Sequence, residues 1–201
     1  MAIYSTKPFQ YKKNPVVFMV NGIGDGFLAL PTIRALANYY YNRLTLIYDA
    51  SIFPTWVCDL PQKSIILVEV NRNNGSIDFD YFSVAEIING CDLFISLNYG
   101  KFQHVRNFSN LLYANCNIGF DPTFNIVLNQ SKDKHASEVY YEVVKIITQS
   151  IDITGHCYPP KILMNQKLIV KNLFFYASNS SKDNFILATH TDTQNNKMWN
   201  E

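Results

Sequence analysis

The 201 residues suffice for one domain of ordinary size with a sizeable core, and leave some chain to spare. Nearly half are apolar (48%) and only 16% are charged, which excludes the low-hydrophobicity, high-charge composition of a disordered chain. A net charge of +1 excludes the basic signature of a nucleic-acid binder or a polybasic membrane-surface protein.

The four cysteines (Cys58, Cys91, Cys116 and Cys157) lie far apart, with no C-x-x-C pair and no cluster of histidines. That spacing fits no metal site, and it reads as reduced, mostly buried thiols rather than a disulfide framework. The opening MAIYSTKPFQYKKNP lacks the apolar core of a signal peptide, and no apolar run approaches the ~18 residues of a membrane span. The expectation is a cytoplasmic protein without an integral membrane segment.

In chain order, Pro15 to Val20 is a short continuous apolar run, as expected of a strand buried on both faces. The turn Asn21-Gly-Ile-Gly-Asp-Gly26 follows. A helix is predicted from Phe27 to Tyr40, with Leu28, Ile33, Leu36 and Ala37 near helical spacing and Pro31 in its first turn, where proline is tolerated. Leu44 to Tyr48 reads as a second strand, Ile52 to Asp59 as a short helical stretch, and Ile65 to Val70 as a third strand. Asn71 to Asp80 reads as a polar loop, followed by a helix at Tyr81 to Asn89 and a fourth strand at Asp92 to Leu97.

A helix from Gln103 to Tyr113 and a short strand at Asn115 to Gly119 come next, then an irregular stretch to Asp133. Ala136 to Gln149 is amphipathic, with Val139, Val143, Ile146 and Ile147 on one face. Strands alternating with helices predict a parallel α/β sheet over residues 1–152. Residues 153–165, which include Tyr-Pro-Pro, read as a linker. In residues 166–201, one helix (Gln166 to Ala177) and one strand (Phe185 to Thr189) are too few to close an α/β core, so this part reads as the beginning of an incomplete second domain.

The Gly-bearing turn is the first place where chemistry is expected. Glycines let a ligand approach the backbone, and the following helix start offers free N–H groups and a positive dipole end. A dinucleotide fingerprint needs G-x-G-x-x-G and an acid ending the second strand. The turn has Gly22, Gly24 and Gly26 instead, although Asp49 stands where the ribose-binding acid belongs, so a small nucleotide-binding protein remains an alternative. Asp25 lies at the carboxyl end of the first strand, where open α/β sheets bind ligands. By position it is either a reactive carboxylate or a helix N-cap.

Val17 to Ala37, VFMVNGIGDGFLALPTIRALA, resembles the opening of bacterial glycosyltransferase family 9, the heptosyltransferases, through Gly22, Gly24, Asp25, Leu30, Pro31, Ala35 and Leu36. The resemblance continues in Cys91 to Leu97 with Gly100, in Gly119-Phe120, and in His135-Ala-Ser-Glu138. It resurfaces in His190-Thr-Asp-Thr193 followed by Lys197 and Trp199. Ser96, Thr191 and Asn200 depart from the family's pattern.

The resemblance implies a Rossmann-like N-terminal domain of a two-domain GT-B enzyme, with the start of a truncated second domain. It implies inverting transfer of heptose from a nucleotide-sugar donor, ADP-heptose, to a lipopolysaccharide-core saccharide or a protein acceptor. Asp25 would be the catalytic base, and Thr193 and Lys197 would bind the donor diphosphate. The loop Gly22, Gly24 and Gly26 would face the acceptor. No metal and no other cofactor would be needed, and a second chain or self-association would complete the site. A non-catalytic half acting as a binding module is the rival from another class. His190 also reads as a structural histidine, Trp199 as packing, and Lys101, His104 and Arg106 as a solvated loop.

Overall fold

The computed structural model describes residues 9, 12–50, 60–73, 76–99, 103–131 and 133–158. They build a doubly wound α/β domain. β1 (Pro15–Met19), β2 (Thr45–Asp49) and β3 (Ser64–Val68) are followed by the short β4 (Asn71–Asn73) and β5 (Ser76–Asp78), and then by β6 (Leu93–Ser96), β7 (Asn117–Gly119) and β8 (Ile126–Val127). The helices are α1 (Ile23–Tyr39), α2 (Tyr81–Ile88), α3 (Gln103–Leu111) and α4 (Ala136–Thr148), with a 3₁₀ turn at Thr154–His156. A six-stranded sheet runs β3-β2-β1-β6-β7-β8 with every neighbour parallel, and β4 and β5 form a separate antiparallel pair.

The sheet is covered on both faces, which is why its inner strands read as unbroken apolar runs. Val17, Met19, Leu46, Leu93, Ile95 and Leu97 share one core with the buried residues of α1 and α4. Val16, Phe18, Val20, Ile47 and Phe94 share the other with Val84 of α2 and Val105 and Phe108 of α3. Pro15 is tolerated in a central strand because it is the first residue, where the missing N–H costs the ladder least. Just before it, the Asp92 carboxylate accepts the N–H groups of Lys13 and Asn14 at 2.7 and 3.0 Å and ties the entry of β1 to that of β6.

Three expectations are corrected. The first helix begins at Ile23, not Phe27, so the glycines lie in its opening turn and Pro31 in its interior. Proline there removes one backbone donor, but burial of Ala29, Leu30, Ile33, Leu36 and Ala37 holds the helix together around it. The stretch Asn71 to Asp80 is not all loop: β4 and β5 pair Asn71 with Asp78 and Asn73 with Ser76. The stretch after Phe120 contains β8, which adds an edge to the sheet beside β7. Ile52 to Asp59, Gly100, Lys101 and everything from residue 159 onward lie outside the described residues. No helix among those described is long and apolar enough to cross a membrane.

The stretch after α4 makes contacts of its own. Tyr141 donates its hydroxyl to the Asp152 carbonyl at 2.7 Å. Arg34, 3% exposed in the middle of α1, donates to the carbonyls of His156 and Tyr158 and lies 3.7 Å from the centre of the Tyr158 ring.

Candidate functional site

The strand order reverses direction between β1 and β6, since β1 leads on to β2 on one side and β6 to β7 on the other. In an open parallel sheet the crevice outside the carboxyl ends at such a point is where ligands bind. Asn21 to Gly26 follow β1 there, and Asn98 and Tyr99 follow β6. α4 runs beside α1 and brings Tyr140 to the same place.

Gly22 is the N-cap of α1, with extended backbone (φ −61°, ψ 164°) and no side-chain cap, and its carbonyl accepts the Gly26 N–H at 3.1 Å. Asp25 is therefore the third residue of the helix and not its cap. Its carboxylate stands in the first turn, at the positive end of the helix dipole. Tyr140 donates its hydroxyl to Asp25 Oδ1 at 3.4 Å. Burial pushes the Asp25 carboxyl above the usual carboxylate range, and the hydrogen bond from Tyr140 offsets part of that rise.

Three further polar residues converge here. The Val20 N–H donates to Asn98 Oδ1 at 3.1 Å, and Asn98 Nδ2 donates to Asn21 Oδ1 at 2.5 Å. Asn21 Nδ2 in turn donates to the Leu97 carbonyl at 3.4 Å and to Tyr140 Oη at 3.5 Å. The Tyr140 ring is fully buried, with Tyr99 4.8 Å away centre to centre and Phe120 at 6.2 Å. Burial first, then the nearby Asp25 charge, keeps the Tyr140 hydroxyl protonated far above its ordinary range.

Asp25, Gly22, Gly24 and Gly26 lie at the carboxyl end of β1, but as the N-cap and first turn of α1 rather than as a loop, with Gly26 buried. Thr193, Lys197, His190 and Trp199 lie outside the described residues. Asp49 is fully buried at the end of β2. His104 and Arg106 belong to α3 and not to a solvated loop. Arg106 forks onto the Asp121 carboxylate at 2.9 and 3.1 Å, and His104 Nδ1 lies 3.3 Å from Asp78. That pairing draws both side chains back onto the domain. His135 caps α4, its ring nitrogen accepting the Ser137 N–H.

Asn21, Asn98, Tyr99 and Tyr140 were not foreseen as site residues. A signal for the two asparagines exists in the sequence, because both neighbouring apolar runs, Pro15 to Val20 and Asp92 to Leu97, end directly in asparagine. Tyr140 carried a weaker one. It lies beside Val139 on the helix face that packs on the sheet, where a tyrosine ring is buried only if its hydroxyl finds a partner.

A parallel, doubly wound sheet with its crevice at the β1/β6 switch point defines the class as a Rossmann-like α/β domain, consistent with the N-terminal domain of a GT-B glycosyltransferase. Over most of its length the chain is similar in structure to "the glycosyl transferase family 9 from Veillonella parvula DSM 2008", with a TM-score of 0.64 and 19% identity, covering 85% of this chain and 51% of that one. It is also similar to the E. coli heptosyltransferase WaaC with ADP-2-deoxy-2-fluoro heptose, with a TM-score of 0.43 and 13% identity over 74% of this chain and 50% of that one. The chain therefore spans about half the length of the solved structures it matches. No protein-family model and no curated protein sequence matches it.

Proposed function

We propose that this chain forms the acceptor side of an inverting glycosyltransferase in which Asp25 is the general base. The observation that carries the proposal is the Asp25 carboxylate at the sheet's switch point, half-buried and with its proton affinity raised by that burial. A base must hold its proton long enough to take it from a hydroxyl and still be ionised beforehand, and a carboxylate lifted above its usual range serves both ends better than an exposed one. As the acceptor oxygen bonds to the anomeric carbon of the sugar, its proton passes to Asp25, and the bond to the departing diphosphate breaks on the opposite face.

The donor on this proposal is a nucleotide sugar, heptose carried on ADP, and the acceptor is a saccharide of the lipopolysaccharide core or a protein. The fold likeness to a glycosyltransferase family 9 structure and the G-x-G-D turn support that choice. Thr193 and Lys197 are proposed to meet the diphosphate, whose charge grows as it leaves. No metal or other cofactor is assigned a part. The donor-binding half of the cleft is proposed to come from a further domain, a second chain or another copy, and the reaction to take place in the cytoplasm.

The test is transfer from ADP-heptose by the chain completed with a donor-binding half, comparing the natural sequence with Asp25→Asn. Full activity in the asparagine variant would remove Asp25 from the chemistry. Lys197→Ala in the same enzyme is expected to weaken donor binding and slow turnover together, because a diphosphate contact strengthens in the transition state.

A further inference from the structure

We propose that Asn98, Asn21 and Tyr140 form a one-way hydrogen-bond relay that positions the Asp25 carboxylate, gripping Oδ1 and leaving Oδ2 as the oxygen that receives the acceptor's proton. The catalytic half of this statement rests on Asp25 being the base, while the relay rests on geometry alone.

The direction of each link as far as Tyr140 follows from groups that have no choice of role. A backbone N–H can only donate, so the Val20 N–H at 3.1 Å fixes the facing atom of Asn98 as its carbonyl oxygen. The amide nitrogen of Asn98 then faces the other way and donates to Asn21 Oδ1. That leaves the Asn21 nitrogen as donor, and the Leu97 carbonyl 3.4 Å away, which can only accept, independently requires the same orientation. Asn21 Nδ2 therefore gives its other hydrogen to Tyr140 Oη. A phenol has one proton, and with its oxygen already accepting from Asn21 that proton faces two acceptors, Asp25 Oδ1 at 3.4 Å and the Tyr99 hydroxyl, of which the charged carboxylate is the stronger. Among the described residues, Asp25 Oδ2 accepts no hydrogen bond.

Hydrogen bonds laid head to tail polarise one another, so such a chain is stronger at its end than a lone hydroxyl would be. Its members are also expensive to bury unless paired, since Asn98 is 2% exposed and Tyr140 is fully buried. A phenylalanine would fill the space beside Tyr99 and Phe120 equally well, and leucine would suit the end of a buried strand better than asparagine. The polar atoms are there for one another and for the carboxylate at the end of the line. Among the described residues, the titratable groups that act on Asp25 are Tyr140 from α4 and Tyr99 from the segment after β6. Burial raises both hydroxyls, so both stay neutral while the carboxyl titrates.

The experiment follows the Asp25 side-chain carboxyl through a pH titration by carbon-13 NMR in the full chain, for the natural sequence, Tyr140→Phe and Asn21→Ala. Thermal unfolding of each variant checks that it is folded. Tyr140→Phe deletes only the oxygen, so the carboxylate loses its donor and its midpoint is expected to rise. Asn21→Ala keeps the hydroxyl but frees it to turn, and a smaller rise is expected. An unmoved midpoint in folded Tyr140→Phe would overturn the proposal. A rise in that variant with none in Asn21→Ala would also overturn the relay, leaving one isolated hydrogen bond. No turnover is needed for this measurement. Full transfer activity in Asp25→Asn would therefore remove the base role without touching the titration result, and the two failures remain distinguishable.

Discussion

At Gly22, Gly24 and Gly26 an added Cβ would meet nothing within 4 Å, whereas at Gly119 it would meet the Ser96 carbonyl oxygen at 2.7 Å and the Phe124 ring at 2.9 Å. Gly119 is demanded by packing, since β7 passes so close to β6 and to the following loop that no side chain fits. The three glycines after β1 answer to no such demand. None has a positive φ, so neither the backbone conformation nor the neighbours require glycine there. Two of them even lie within α1, where glycine is a poor helix former. Gly22 and Gly24 leave exposed backbone at a helix start beside Asp25, while Gly26 is buried with its N–H held by the Gly22 carbonyl. The fold explains Gly119, while among the described residues nothing in the packing or the backbone requires glycine at the other three.

This contrast between a site region and a packing region can be broken in several ways. The largest effect belongs to the site. Asp25→Asn in an enzyme with both halves present is expected to lower kcat by about 10²–10⁴-fold, the usual contribution of a general base. The fold should be unharmed, because Gly22 and not Asp25 caps the helix. In the packing region, Gly119→Ala is expected to cost about 1–3 kcal/mol in chemical denaturation, as overpacking does. A neutral result would mean that β7 can slide away from Ser96 without loss.

The smaller effects sharpen the comparison. Gly24→Ala, at an exposed position within α1, should stabilise the chain by roughly 0.5–1 kcal/mol, the propensity gain of alanine within a helix. The same variant should bind acceptor more weakly by titration calorimetry. Gain of stability with unchanged binding would show that the open backbone serves nothing. The last effect is a pH dependence. The folded-state affinity of Asp25 for its proton is raised, so its contribution to stability is present at low pH and lost as pH climbs from 3.8 through the raised value. Asp25→Asn should therefore gain in melting temperature relative to the natural chain across that window and hold the advantage at neutral pH. A constant difference at every pH would mean that Asp25 titrates as it does in the unfolded chain.

Much of this architecture was legible in the residues. The apolar run at Pro15 to Val20 announced a strand buried on both faces, Asp92 to Leu97 read as a further strand, and the position of Asp25 at the carboxyl end of the first placed it at the ligand-binding edge of the sheet. Other features were obscured by residues with two meanings. Gly24, Gly26 and Pro31 look like helix breakers in isolation, yet the apolar face of α1 outweighs them and the helix runs straight through. Asn74-Gly75 signals a hairpin as strongly as any dipeptide, but its flanks are polar and lack the alternation that marks strands. β8 is two residues long and carries no period at all. The relay was illegible for a different reason. It joins residues 21, 98 and 140, far apart in sequence, and only the parallel pairing of β1 with β6 and the packing of α4 beside α1 bring them together.

Arg34 draws a line for anyone who would dissect this protein. A guanidinium 3% exposed in the middle of α1 takes its acceptors from the carbonyls of His156 and Tyr158, well past the last helix. A chain cut after Asp152 would keep every strand and helix described above and still strand that cation without those two partners. A buried charge deprived of its hydrogen bonds is among the most damaging single losses a small domain can suffer. A piece that keeps Arg34 paired therefore extends at least to Tyr158. The segment from 153 to 158, which has almost no secondary structure, belongs to the domain by electrostatics rather than by shape.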